Sequence, residues 1–235
     1  MKALLLSGCL LLALSACQKE TEEEAEPTYA DWYAIKAPDA QAIEAVTGDI
    51  DGTLVIMTRY QVYQTKDRGK TWRTSNYSSN IGLFGFAQVQ DTLLLLDTQS
   101  QSSSTPSVFA TNPSYFSLDE GLMWQRYRNW RYDSHQPQVA RNQATAASGS
   151  SYQIDVLRTP VSPGSASNWV ETVGVVSATG RKVALPQSHQ INSLYFDAKS
   201  RLYVAASAPI CSQREKFAFC GEQNGVLYVS KEPQP

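Results

Sequence analysis

The sequence predicts an all-β fold of four repeated units, each of four short antiparallel strands, and three observations lead there. Short runs of β-branched and aromatic residues recur along the chain, split by Gly, Asp and Asn turn signals. Glutamate is scarce after residue 28 while Tyr, Ser, Thr and Gln are frequent, a balance that favours strands over helices. An eight-residue string also repeats: Thr65-Lys66-Asp67-Arg68-Gly69-Lys70-Thr71-Trp72 returns as Ser117-Leu118-Asp119-Glu120-Gly121-Leu122-Met123-Trp124.

The chain has 235 residues and starts with Met1-Lys2 and an apolar run from Ala3 to Ala16. That is the charged start, apolar middle and small-residue exit of a secretory signal, so residues 1–16 are set apart from the fold. Residues 18–28 hold Lys19 against five glutamates, and so dense a block of like charge is expected to stay a solvated, disordered tether. Positions 29–235 then carry 18 basic and 17 acidic residues and form the β domain. A body so nearly neutral lacks the basic stripe that displaces counterions from nucleic acid. After the signal, no apolar run approaches the roughly 18–20 residues of a membrane helix.

The first unit places strands at 43–46, 53–57 and 61–64 ahead of the string at Thr65. The second repeats this with 83–87, 92–96 and 114–116 ahead of Ser117. A third fits 151–157 and 169–176 before a degenerate turn, Ser177-Ala178-Thr179-Gly180, which lacks the Asp and the Trp. The fourth has 191–196, 201–205 and 225–229 before Ser230. The four starts, Thr65, Ser117, Ser177 and Ser230, lie 52, 60 and 53 residues apart. Residues 31–35 read as the strand that follows such a string, so they are expected to pair with 225–230 and close the fourth unit, leaving no open edge. The Ser-rich stretch 98–106 and the stretch 144–151 read as flexible loops.

Both strings fit Ser/Thr-x-Asp-x-Gly-x-x-Trp and resemble the Asp-box of the bacterial neuraminidase repeat. An Asp entering a tight turn accepts backbone N–H bonds, a Gly two positions on takes positive φ, and the Trp covers the hairpin as the outgoing strand begins. Thr65, Asp67, Gly69, Thr71 and Trp72, with Ser117, Asp119, Gly121 and Trp124, are thus expected to be structural. The resemblance implies a small β-propeller of four blades closed by the N-terminal strand, with five blades or an incomplete sialidase-like ring as the alternatives. It does not extend to catalysis. Retaining sialidases use an arginine triad, a Tyr–Glu pair and an acid/base Asp, and the family's Arg-Ile-Pro motif is missing; the nearest string, Arg158-Thr159-Pro160, falls too late. No catalytic residue, cofactor or metal site is assigned.

Leu14-Ser15-Ala16-Cys17 resembles the lipobox of bacterial lipoproteins, which implies a lipid on Cys17 and a membrane as one partner. The following Gln18-Lys19-Glu20-Thr21-Glu22-Glu23-Glu24 resembles the export tag of surface lipoproteins of the Bacteroidetes, and Gln18 after the Cys resembles outer-membrane sorting. Cys211 and Cys220 remain as an even pair in an oxidising compartment and are expected to form a disulfide. Two cysteines without further ligands do not make a metal site. His135 and His189 stand alone in polar surroundings and read as ordinary surface residues. The segment from Arg126 to His135 interleaves cations and aromatics, which makes Arg126, Arg128, Trp130, Arg131 and Tyr132 the candidate binding residues. The competing reading is a strand edge whose aromatics pack while its arginines reach solvent. The function expected is non-catalytic binding or scaffolding, of a glycan or an envelope protein; the alternative is a divergent glycoside hydrolase of sialidase-like fold.

Overall fold

The computed structural model describes residues 28–78, 80–102, 106–128, 136–212 and 217–235. The expected signal, Cys17 and the glutamate-rich stretch after it lie outside them. The described chain is all-β, with four antiparallel sheets arranged as the blades of a propeller.

Strand β1 (Trp32–Lys36) belongs to the last blade. Blade 1 runs outward from the axis as β2 (Ile43–Gly48), β3 (Leu54–Thr58), β4 (Val62–Thr65) and β5 (Arg73–Thr74). Blade 2 follows as β6 (Gly85–Val89), β7 (Thr92–Gln101), β8 (Val108–Ser117) and β9 (Gln125–Arg126), with β10 (Val139–Ala140) pairing further along β8. Blade 3 is β11 (Gln143–Thr145), β12 (Ser151–Pro160), β13 (Asn168–Ser177) and β14 (Lys182–Val183). Blade 4 begins with β15 (Ile191–Phe196) and β16 (Leu202–Ala206). A side hairpin follows, β17 (Ile210–Ser212) and β18 (Ala218–Phe219), before β19 (Val226–Ser230) returns to the blade. Strand β1 then completes it, pairing from Trp32 with Ser230 to Lys36 with Val226, the clasp that the sequence predicts.

Two stretches expected as loops are corrected. Residues 98–101 extend β7, and Gln143–Thr145 is the inner strand of blade 3. Polar composition concealed both, because the first belongs to a ribbon standing clear of the core and the second lies against a polar seam.

Successive antiparallel strands put alternate connections at opposite ends, so the ring has two unlike faces. One carries the short β2–β3, β6–β7, β11–β12 and β15–β16 turns together with the turns of the repeated Ser/Thr-x-Asp-x-Gly-x-x-Trp strings, the box turns. In blade 1, Asp67 Oδ1 accepts the Thr71 amide at 2.9 Å, and Thr65 Oγ1 donates to Asp67 Oδ1 at 2.7 Å. In blade 2, Asp119 Oδ1 accepts the Met123 amide at 2.8 Å and the Ser117 hydroxyl at 2.8 Å. Gly69 and Gly121 lie at φ +82° and +85°, and a Cβ there would collide with Ile35 of β1 in the first and meet Val55 of β3 at 2.9 Å in the second. Each box is therefore pressed against the preceding blade, where only Gly fits. In blade 3 the Ser177 and Thr179 hydroxyls lie 2.9 Å apart, with Thr179 standing where Asp is expected.

Arg201 ties the short-turn face together. Its guanidinium donates to Asp197 at 2.7 Å, to Asp51 at 2.6 Å and to Asp49, joining blade 4 to blade 1. Hydrogen bonds from Arg201 and Lys199 hold the Asp51 carboxyl down at about 2. Those from Thr71 and Thr65 hold Asp67 at about 2 as well. Both folded values lie below the ordinary 3.8, so both groups stabilise the fold above that value and cease to do so as pH falls toward 2. Acid titration followed by circular dichroism is expected to show stability dropping across that window. In an Asp51→Asn variant the drop is expected to be smaller.

Three of the four seams between blades are apolar. Ile35, Ile43, Ile56, Tyr203 and Val229 fill the seam between blades 4 and 1. Met57, Val62, Phe86, Leu95 and Trp124 fill that between 1 and 2, while Tyr152, Val175, Leu194, Val204 and Tyr228 fill that between 3 and 4. The buried cluster on the far side of blade 2, built from Ala87, Leu94, Leu96 and Ala110, gains no residue from blade 3. Polar bonds make that fourth seam instead: Asn142 Oδ1 accepts the Val108 amide at 2.9 Å, and the Arg141 amide donates to Val108 O at 2.8 Å.

Candidate functional site

The polar seam is where the molecule opens. On the face opposite the box turns, the β7–β8 and β12–β13 hairpins continue past their blades as two-stranded ribbons. Each leaves its blade at a register shift, between Leu95 and Leu96 in one and between Asp155 and Val156 in the other. Such bulges bend a hairpin away from its sheet. Asn112 at φ +62° marks the first, with its amide donating to Asp97 Oδ1 at 2.6 Å; Gly174 at φ +145° marks the second. Between the ribbons lies a cleft of about 510 Å³.

The blade 3 ribbon has two sides because directly paired residues point the same way. Val156 pairs with Thr172 and Arg158 with Val170, and these four line the cleft toward blade 2. Leu157 pairs with Glu171, and these line a second cleft of about 570 Å³ toward the β17–β18 hairpin. The ribbon is apolar yet uncovered: Leu157 is 45% exposed, Trp169 and Val170 are each 47% exposed, and Val173 is 52% exposed. The sequence gives a strand at 169–176 but no sign of this exposure, since a Trp-Val-Glu-Thr-Val run looks the same in a core.

Arg141 is fixed at the floor of the seam. Its side chain is buried and donates to Glu44 Oε2 at 2.6 Å and to Gln99 Oε1, linking blades 1, 2 and 3 around the axis. It lines both the inter-ribbon cleft and a channel of about 380 Å³ between the inner strands. Its guanidinium lies over the Phe84 ring at 5.3 Å. Neither Arg141 nor Glu44 stands out in the sequence, because their partnership spans 97 residues.

His189 is corrected from a surface residue to a core one, at 2% exposure. Burial disfavours the charged ring and lowers its pKa below the ordinary 6.5. Its Nδ1 faces the Ser207 carbonyl at 2.8 Å and therefore donates, and its Nε2 accepts from the Tyr228 hydroxyl at 2.9 Å. It sits in the second cleft and anchors the loop that crosses from blade 3 to blade 4. The alternation His189, Ile191, Ser193 is the signal that places it on an inward side.

Of the residues singled out for binding, Arg126 is exposed on β9 with its guanidinium 5.9 Å from the Tyr115 ring, and Arg128 follows it, exposed. Tyr127 packs half-buried on the cluster of blade 2. Neither arginine lines either of the two clefts beside the blade 3 ribbon. Trp130, Arg131, Tyr132 and His135 lie outside the described residues. Cys211 and Cys220 form the expected disulfide across the β17–β18 hairpin. Among the described residues no three His, Cys, Asp or Glu side chains gather as a metal site would require.

No protein family matches the sequence, and no curated protein matches it. Among solved structures, the chain is similar to YCF48 bound to a D1 peptide, with 9% identity over 87% of this chain and 98% of that one and a TM-score of 0.40. YCF48 from Cyanidioschyzon merolae is similar at 14% identity over 86% of each chain, with a TM-score of 0.29. An ancestral GH74 enzyme is similar at 14% identity over 82% of this chain and 27% of that one, with a TM-score of 0.27. The chain thus spans about a quarter of the length of that enzyme. The four blades rest on the strand pairing described above, not on these scores.

Proposed function

We propose that this chain is a lipid-anchored, non-catalytic propeller that displays its long-ribbon face away from an outer membrane and docks a protein partner there. The observation that carries this reading is the direction of entry. Strand β1 starts at Trp32 opposite Ser230, at the box-turn end of blade 4, so the chain leading back toward Cys17 leaves from the short-turn face. A lipid on Cys17 then turns the other face outward, and that is the face with the two clefts and the uncovered ribbon. Exposed apolar surface of this kind marks an interaction site.

The clefts fit binding better than hydrolysis. A sialidase-like reaction needs several convergent ionisable groups, and a two-carboxylate glycosidase needs a pair flanking the bond. Among the described residues, Asp155 is the sole acidic residue lining the inter-ribbon cleft, and it pairs with Lys182 at 3.1 Å. Among the same described residues, Glu171 is the sole acidic residue lining the other. The hydrolase reading predicts turnover of glycans by the purified chain. The binding reading predicts none, together with recovery of a defined protein neighbour when the tagged chain is purified from its own membrane. A Cys17→Ser variant is expected to leave the membrane fraction; its retention there would remove the anchor from the account.

A further inference from the structure

The inter-ribbon cleft has a chemistry narrower than general docking. Gln101 stands on one wall, Gln153 and Arg158 on the other, and Gln190 at the floor. All four side chains are exposed, and none has a hydrogen bond or ion pair among the described residues. Each free carboxamide offers two donors and an acceptor, the complement of a peptide group. Between them, Val156 and Val170 present an aliphatic wall, 39% and 47% exposed.

Charge completes the pattern. The other charges of the cleft are already matched, Arg141 by Glu44 and Asp155 by Lys182. Arg158, exposed and lining the same cleft, has no acidic partner among the described residues. Among the described residues its lining holds no Phe, Tyr or Trp, the side chains on which a sugar ring stacks.

We infer that this cleft binds an extended polypeptide segment of a partner protein, with the free glutamines pairing its backbone, Val156 and Val170 receiving an apolar side chain, and Arg158 holding an acidic one. The inference rests on the outward-facing reading above for its access to a partner, while its chemistry stands on the cleft alone. An extended guest fits because a ribbon wall repeats every two residues, as a strand does. Arg158, Pro160 and the bulge at Asp155 blunt the β12 edge against pairing without discrimination, so side chains set the preference.

Peptide display selected on the intact purified chain tests this, followed by affinity measurement with the selected peptides. Selected sequences are expected to carry Asp or Glu beside apolar residues. Their affinity is expected to fall at least about tenfold in Arg158→Glu, the loss of one charge-assisted contact, and less in Gln153→Ala. Both positions are exposed, so an unchanged thermal transition verifies folding, and Lys70→Ala on the opposite face serves as the control. Neutral or basic selected peptides, or an affinity within about twofold of the original in Arg158→Glu, would overturn the inference. A glycan that binds with the same dependence on Arg158 would overturn the peptide occupant and leave the outward orientation intact. Partner contacts mapped to the short-turn face would overturn the orientation and leave peptide binding intact.

Discussion

Deletion of residues 29–36 is expected to abolish the cooperative thermal transition of the chain. The segment supplies the buried side chains Trp32 and Ile35 and five consecutive pairs to β19. Ile35 is also what Gly69 of the first repeated string packs against, so its loss undermines the joint between blades 4 and 1. Without β1, Leu227, Tyr228 and Val229, all fully buried in the intact ring, sit beside an open edge. At about 1.5–3 kcal/mol for each large apolar side chain brought out of its core, this loss is comparable to the whole stability of a domain, roughly 5–15 kcal/mol. Circular dichroism on heating is the readout. A trimmed chain that melts cooperatively at the temperature of the intact one would contradict closure by the N-terminal strand.

The second large effect is expected at the axis. Glu44→Ala leaves the buried guanidinium of Arg141 without its carboxylate, and an arginine cannot shed its proton to escape. Removing one member of a buried pair typically costs about 3–5 kcal/mol, whereas replacing both by apolar side chains is often close to neutral. Urea unfolding of Glu44→Ala is therefore expected to show a loss in that range, and Glu44→Met with Arg141→Met is expected to recover most of it. The polar seam between blades 2 and 3 has little apolar burial to absorb the damage, which is why the pair matters here. A loss below about 1 kcal/mol in the single variant would show that Arg141 finds water or another acceptor.

How far the sequence alone reaches follows from what each element interacts with. Strands whose residues alternate or run apolar within one blade, such as Leu54–Thr58 and Leu202–Ala206, announce themselves because their burial is local to the repeat. The closing strand is legible too, because Trp32 repeats the place of the Trp after a box. Gln143–Thr145 is not, because its polar residues are placed by pairing with Ser151–Gln153 and carry no core signature of their own. The candidate site is less legible still. The cation–aromatic segment after the second box is conspicuous by composition, whereas the inter-ribbon cleft is assembled from single residues of different blades. Gln101, Gln153, Arg158 and Gln190 share no spacing and form no motif; only the two bulged ribbons and the polar seam beneath them bring the four together.

The measurement that tests the account most directly is site-specific photo-crosslinking of the full chain in its own envelope. One variant carries the photo-reactive residue in place of Val170 on the ribbon; the other carries it in place of Lys70 on the short-turn face. The account predicts a discrete protein adduct from position 170 and none from position 70. Adducts from position 70 with none from position 170 would contradict it.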